Sequence, residues 1–87
     1  MIIKAILQTE KAVRLQEEQN TLTLIVDDKA NKKQIKEEVE KKFNVKVEDV
    51  RTLNTYTNSG KKLVKKAYVK LKDEYKASDI VKNYGAL

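Results

Sequence analysis

Residues 51–72 read RTLNTYTNSGKKLVKKAYVKLK, two strand-like segments around a turn. Thr57, Asn58, Ser59 and Gly60 supply turn chemistry at its centre. Downstream, Leu63 to Lys72 alternates, with Ala67, Val69 and Leu71 on one face and Tyr68, Lys70 and Lys72 on the other. Upstream, Val45, Val47 and Val50 open a strand that continues to about Tyr56; the step from Val47 to Val50 breaks alternation and predicts a bulge near Glu48 or Asp49. Two strands joined by so short a loop must run antiparallel, because a parallel pair needs a crossover of a dozen residues or more.

Working outward, the rest of the chain alternates strand and helix. Ile2 to Leu7 reads as an opening strand. Thr9 is suited to cap a following helix, with Glu10 in the first turn, where the dipole favours an anion. That helix is expected to reach about Gln19 with Ala12, Val13 and Leu15 facing inward, and Asn20 breaks it. Thr21 to Asp27 is a strand with Leu22, Leu24 and Val26 on one side. Asn31 and Gln34 have capping-box spacing, and Ile35, Val39 and Phe43 recur every fourth residue in a helix that Asn44 ends. Ile80, Val81 and Tyr84 then predict a short final helix before Gly85. The expected order is β-α-β-α-β-β plus a terminal helix. This is a small α+β domain over residues 1–87, with an antiparallel or mixed four-stranded sheet whose apolar face packs under the helices.

Composition narrows the chemistry. The 87 residues contain no cysteine, histidine, tryptophan or proline, and 2 glycines. Disulfides, thiol chemistry and Ser–His or Cys–His catalysis are therefore excluded, and with them nearly every zinc, haem or iron–sulfur site. The neighbouring carboxylates Glu17-Glu18, Asp27-Asp28, Glu37-Glu38 and Asp73-Glu74 read as surface charge, since adjacent helical side chains point about 100° apart. Gly60 and Gly85 stand alone, so no phosphate-binding glycine loop is present, and no EF-hand spacing appears. An enzyme and a cofactor are not expected. No apolar run approaches the roughly 20 residues of a membrane span, and no signal-peptide core precedes the first strand, so an intracellular protein without membrane insertion is expected.

Charge is segregated. The net charge is +6, yet residues 51–72 hold Arg51, Lys61, Lys62, Lys65, Lys66, Lys70 and Lys72 with no Asp or Glu. That quarter carries the whole positive excess. It reads as a patch for a polyanion, nucleic acid first, against the alternative of a solvated hairpin that only aids solubility. Seventeen of the nineteen basic residues are lysine, a point charge suited to backbone phosphates rather than to bidentate reading of guanine. For Tyr68, inside the basic strand, two readings stand: stacking on a base or ribose, or packing on neighbouring lysine stems. A free-standing interaction module whose basic hairpin binds an acidic partner is the alternative function.

Several blocks in order resemble one family. Thr9-Glu10-Lys11, Asn20-x-Leu22-x-x-x-Val26, Ala30-x-Lys32-x-x-Ile35-Lys36, Phe43-x-Val45-x-Val47-x-x-Val50-x-Thr52, Asn54-Thr55, and Lys65-Lys66-Ala67-Tyr68-Val69-Lys70-Leu71-Lys72 followed by Ile80 are similar to the ribosomal protein twenty-three family of the large subunit. The short connection between Tyr56 and Lys61 resembles its archaeal and eukaryotic branch. Ile6 departs from the family's proline, and Arg51 from its asparagine. The resemblance implies strand order 1-2-4-3 and a structural role on the cytoplasmic ribosome in translation. It implies binding to large-subunit rRNA near the nascent-peptide tunnel exit, beside neighbouring large-subunit proteins, and a docking surface for signal recognition particle and nascent-chain factors. The rRNA-facing positions it implies are Lys11, Lys32, Arg51, Thr52, Asn54, Thr55, Lys61, Lys62, Lys65, Lys66, Tyr68 and Lys70; Glu10 would serve factor docking. An acid at Glu10 also serves the helix dipole, and Lys11 and Lys32 are also simply solvated lysines.

Overall fold

Thr9 and Asn31 each sit in extended backbone and start a helix as the sequence predicts. The Thr9 hydroxyl accepts the Ala12 backbone N–H at 3.2 Å, and Asn31 and Gln34 form a reciprocal capping box. In this computed structural model, which describes residues 2–56 and 63–84, the elements are β1 (Ile3–Ile6), α1 (Glu10–Gln19), β2 (Thr21–Val26), α2 (Lys32–Phe43), β3 (Val47–Tyr56), β4 (Leu63–Leu71) and α3 (Ala77–Tyr84). The expected turn at 57–60, together with Lys61, Lys62 and Gly85, lies outside the described residues.

All strand pairings are antiparallel, in the order β1-β2-β4-β3. The fold is α+β, as expected. The register shifts between Val47 and Asp49, where the broken alternation predicts a bulge. A second shift, between Ile3 and Ala5, has no signal in the short β1 sequence.

Alternation divides the sheet into two chemically different faces. Leu22, Leu24 and Val26 of β2 join Ala67, Val69 and Leu71 of β4 and Val47 and Val50 of β3 on one face. Ile35, Val39 and Phe43 of α2 and Ala77 and Ile80 of α3 pack into the same core. Leu22, Leu24, Ile35 and Leu71 are fully buried there, each stabilising the fold by about 1.5–3 kcal/mol relative to exposure.

The other face changes the expected picture. The sequence put every helix over one apolar face, with Ala12, Val13 and Leu15 inward. Instead α1 covers the opposite face, where Thr21 and Thr23 are buried and Leu15 lines hollows with Thr21, Thr23 and Tyr68. Ala12 and Gln16 are the buried residues of α1, and Val13 and Leu15 are half-buried. The reason lies in β2, all but one of whose residues are buried, so both faces need a cover. The architecture is three-layered, with α1 on one side and α2 and α3 on the other.

Candidate nucleic-acid interface

One helix of ten residues cannot cover a four-stranded face. On the α1 side, the sheet rows pair Thr23 with Tyr68 and Tyr68 with Arg51, Ile25 with Lys66 and Lys66 with Leu53, and Thr21 with Lys70 and Lys70 with Asp49. Over β2 these rows are sheltered by α1. Over β4 and β3 they are open, leaving a groove of about 580 Å³ between α1 and β3. Lys11, Leu15 and Gln19 of α1 form one wall, Arg51 and Leu53 of β3 the other, and Tyr68 and Lys70 lie between. Leu53 is 52% exposed, unusual for a leucine in a sheet.

The fold modifies the charge pattern of the sequence. The acid-free run begins at Arg51, but the bulge turns Glu48 and Asp49 toward it. Lys70 Nζ lies 3.6 Å from a Glu48 carboxylate oxygen, and Arg51 Nε donates to Asp49 Oδ2 at 3.4 Å. Both pairs are largely exposed, so each is worth at most about 1 kcal/mol and leaves both cations accessible to a stronger anion. The bulge end of the groove is thus mixed in sign, whereas Lys11 and Lys66, which line a smaller hollow with Tyr68 and Thr23, make the other end cationic.

The adjacent lysines of the hairpin part company. Lys66 lies on the α1 side and lines the smaller hollow, but Lys65 pairs with Val26 and Asn54 on the α2 side, and its Nζ donates to the Ala30 carbonyl at 2.6 Å. Thr52 and Asn54 share that second face, while Thr55 shares the α1 face. Lys32 is exposed at the start of α2, and Glu10 is exposed at the start of α1. The sequence-derived residues therefore do not form one patch. Lys11, Arg51, Lys66, Tyr68 and Lys70 come together; Thr52, Asn54 and Lys65 form a second group across the sheet; Lys32 and Glu10 stand apart.

Three features escaped sequence reasoning. Leu15 and Leu53 wall the groove, although each passes for an ordinary apolar residue. Asn20, read only as a helix breaker, adopts a left-handed conformation (φ 51°, ψ 41°). Its side-chain amide donates to the carbonyls of Leu71, Lys72 and Tyr75, the last at 2.6 Å, and its oxygen accepts the Ala77 N–H. The third feature is Glu40, whose carboxylate accepts the Val47 N–H at 2.9 Å and so fixes the entry to β3.

Comparison with known proteins decides what this scaffold is. A family model described as Ribosomal protein L23 matches residues 1–78. The chain belongs to the ribosomal protein L23 family. Large ribosomal subunit protein uL23 of Pyrobaculum aerophilum is 54% identical over 86 residues, spanning 99% of this chain and 100% of that protein. Large ribosomal subunit protein uL23 of Caldivirga maquilingensis is 49% identical over 86 residues, spanning 99% of this chain and 94% of that protein. L23 membership makes the chain a ribosomal protein, a structural component of translation rather than an enzyme. Among the described residues, no helix is long and apolar enough to cross a membrane, and no cluster of three or more acidic side chains is arranged to hold a metal ion.

Proposed function

We propose that this chain is a constituent of the large subunit of the cytoplasmic ribosome that binds large-subunit rRNA beside the nascent-peptide tunnel exit. Its contacts are the basic α1-side sheet face and the hairpin that extends it. The observation that carries this reading is the convergence of Lys11, Arg51, Lys66 and Lys70 around one aromatic ring, Tyr68, on a sheet face that α1 leaves half open. Cations around an apolar platform suit a phosphate backbone with accessible bases better than they suit an acidic protein surface. Thr52, Asn54, Thr55, Lys32, Lys61, Lys62 and Lys65 are assigned to surrounding contacts with rRNA, and neighbouring large-subunit proteins complete the setting. Signal recognition particle and nascent-chain factors dock transiently on the Glu10 side. The family membership and the names of the two relatives support this reading.

Binding of the native protein to deproteinised large-subunit rRNA across a salt series tests it. Neutralising about five to seven phosphates gives a log–log slope of about −4 to −6. Replacing Lys61, Lys62, Lys66 and Lys70 together with Gln should weaken binding and flatten the slope. Absence of rRNA binding, with the chain instead sedimenting away from large subunits on an acidic protein, would overturn the proposal in favour of a free-standing interaction module.

A further inference from the structure

We infer that the groove between α1 and β3 captures one unstacked nucleotide of the bound RNA, its base lying on Tyr68 between Leu15 and Leu53. The inference rests on the rRNA-binding reading above and specifies how that site is used. Three observations support it.

The groove has the size of a small-ligand site and an apolar patch set in a polar lining. Its volume of about 580 Å³ falls within the range of roughly 300–1,000 Å³ for such pockets. Leu15, Leu53 and Tyr68 give it apolar and aromatic walls, and Leu53 is left half exposed in the free protein. A flat π-system fills such a slot, and aromatic stacking tolerates any base.

The charge around the slot is graded. Lys11 and Lys66 form a cationic end, while Glu48 and Asp49 hold Lys70 and Arg51 at the bulge end. The first end carries unbalanced positive charge, whereas cations and carboxylates balance at the second, so a phosphate is favoured most at the first. The sugar–phosphate backbone therefore crosses at Lys11 and Lys66, and the base points along the groove toward the bulge. An acidic peptide laid along the groove would bring its own carboxylates against Glu48 and Asp49 at the bulge end, whereas a nucleotide keeps its charge at the phosphate and extends a neutral base, so RNA is the better occupant.

The third observation is a buried polar atom without a partner. Thr23 is 3% exposed, its hydroxyl has no hydrogen-bond partner, and it pairs across the sheet with Tyr68. It lines the smaller hollow of about 30 Å³, which shares Lys11, Leu15 and Tyr68 with the groove. That space is about the size of one water and opens beside the Tyr68 ring, so the Thr23 hydroxyl is the polar group nearest a base stacked there.

The test uses the full chain and deproteinised large-subunit rRNA. Tyr68→Leu keeps apolar bulk but removes the stacking ring; its affinity should fall about 5- to 150-fold. Leu53→Ser, at an exposed position where folding is insensitive, should lower affinity about fivefold by reducing the apolar area covered. In both, the log–log salt slope should stay at the native value, because no phosphate contact is removed. Lys11→Gln and Lys66→Gln should each reduce its magnitude by about 0.7–0.9. Probing with dimethyl sulfate for A and C and a carbodiimide for U and G should show one nucleotide protected by the native protein and released by Leu53→Ser, while other protections persist. Native rRNA binding with unchanged affinity for both Tyr68→Leu and Leu53→Ser would overturn the groove assignment and leave the rRNA reading standing. Loss of contact with another large-subunit protein by Leu53→Ser, with RNA affinity intact, would give the groove to a protein and also overturn it. No rRNA binding by the native chain would overturn both readings.

Discussion

The ammonium group of Lys65 donates to the backbone carbonyl of Ala30 at 2.6 Å, binding β4 to the turn that leads into α2. Its sequence neighbour Lys66 faces the opposite side of the sheet. Two adjacent lysines, identical in a charge count, thereby acquire different duties. Lys65→Gln should cost about 1 kcal/mol of stability, since a charge-assisted bond to a partly buried carbonyl is lost. Lys66→Gln should leave the urea midpoint nearly unchanged while weakening rRNA binding. Coincident denaturation curves for the two variants would contradict the division.

Asn20 supports the junction of α1, β4 and α3. Glycine is the usual residue for its left-handed backbone, so Asn20→Gly removes conformational strain. It also removes the side-chain bonds to Leu71, Lys72, Tyr75 and Ala77. The second effect should dominate, with a net loss of about 2 kcal/mol. Amide exchange supplies the local readout: protection in residues 77–84 should fall before that of β2 and β4. A glycine variant as stable as the native chain, with α3 equally protected, would refute this role.

The difference between legible and hidden features has a physical basis. Thr9, Asn31 and the 35–39–43 spacing announced both helices because caps and periodicity are local. The Val47–Val50 step announced the bulge for the same reason. Long-range consequences were not visible. A buried threonine at position 21 or 23 looks like the polar side of a half-exposed strand, and only the docking of α1 reveals a three-layered fold. Asp49 lies two residues from Arg51 on the same strand, but Glu48 is far from Lys70 in sequence and only strand pairing brings them together. Lys65 and Lys66 were grouped by charge; the pleat separates them.

Asp27 ends β2 and shapes the next turn. The Lys29 backbone N–H, donating to its carboxylate at 2.9 Å, is the main cause that holds the Asp27 carboxyl below the usual carboxylate range; the Asp28 side chain adds to it. A group whose folded pKa is depressed contributes stability above its unfolded pKa, and that contribution is lost as pH falls through the folded value. With the unfolded value at about 3.9, the contribution is complete near neutrality and disappears in the acid range below pH ~4. Asp27→Asn should therefore show a shallower loss of stability on acidification than the native protein, with the curves converging at the acid end. Parallel pH dependence for the two proteins would remove this account.

Glu10 offers the sharpest separation of fold from function. It occupies the first turn of α1, exposed, where a carboxylate interacts favourably with the helix dipole. Reversing it with Glu10→Arg should cost only about 0.3–1 kcal/mol, well within what an isolated surface site tolerates. The groove face with Tyr68 and Lys66 is untouched, so incorporation into large subunits should persist in sucrose gradients. Under the proposed docking at Glu10, binding of signal recognition particle to the resulting ribosomes should nevertheless weaken, because the carboxylate has become a cation. A charge-removing Glu10→Gln variant should fall between the two. If ribosomes carrying Glu10, Gln and Arg at this position bind the particle equally, the carboxylate serves the helix alone and the docking surface lies elsewhere.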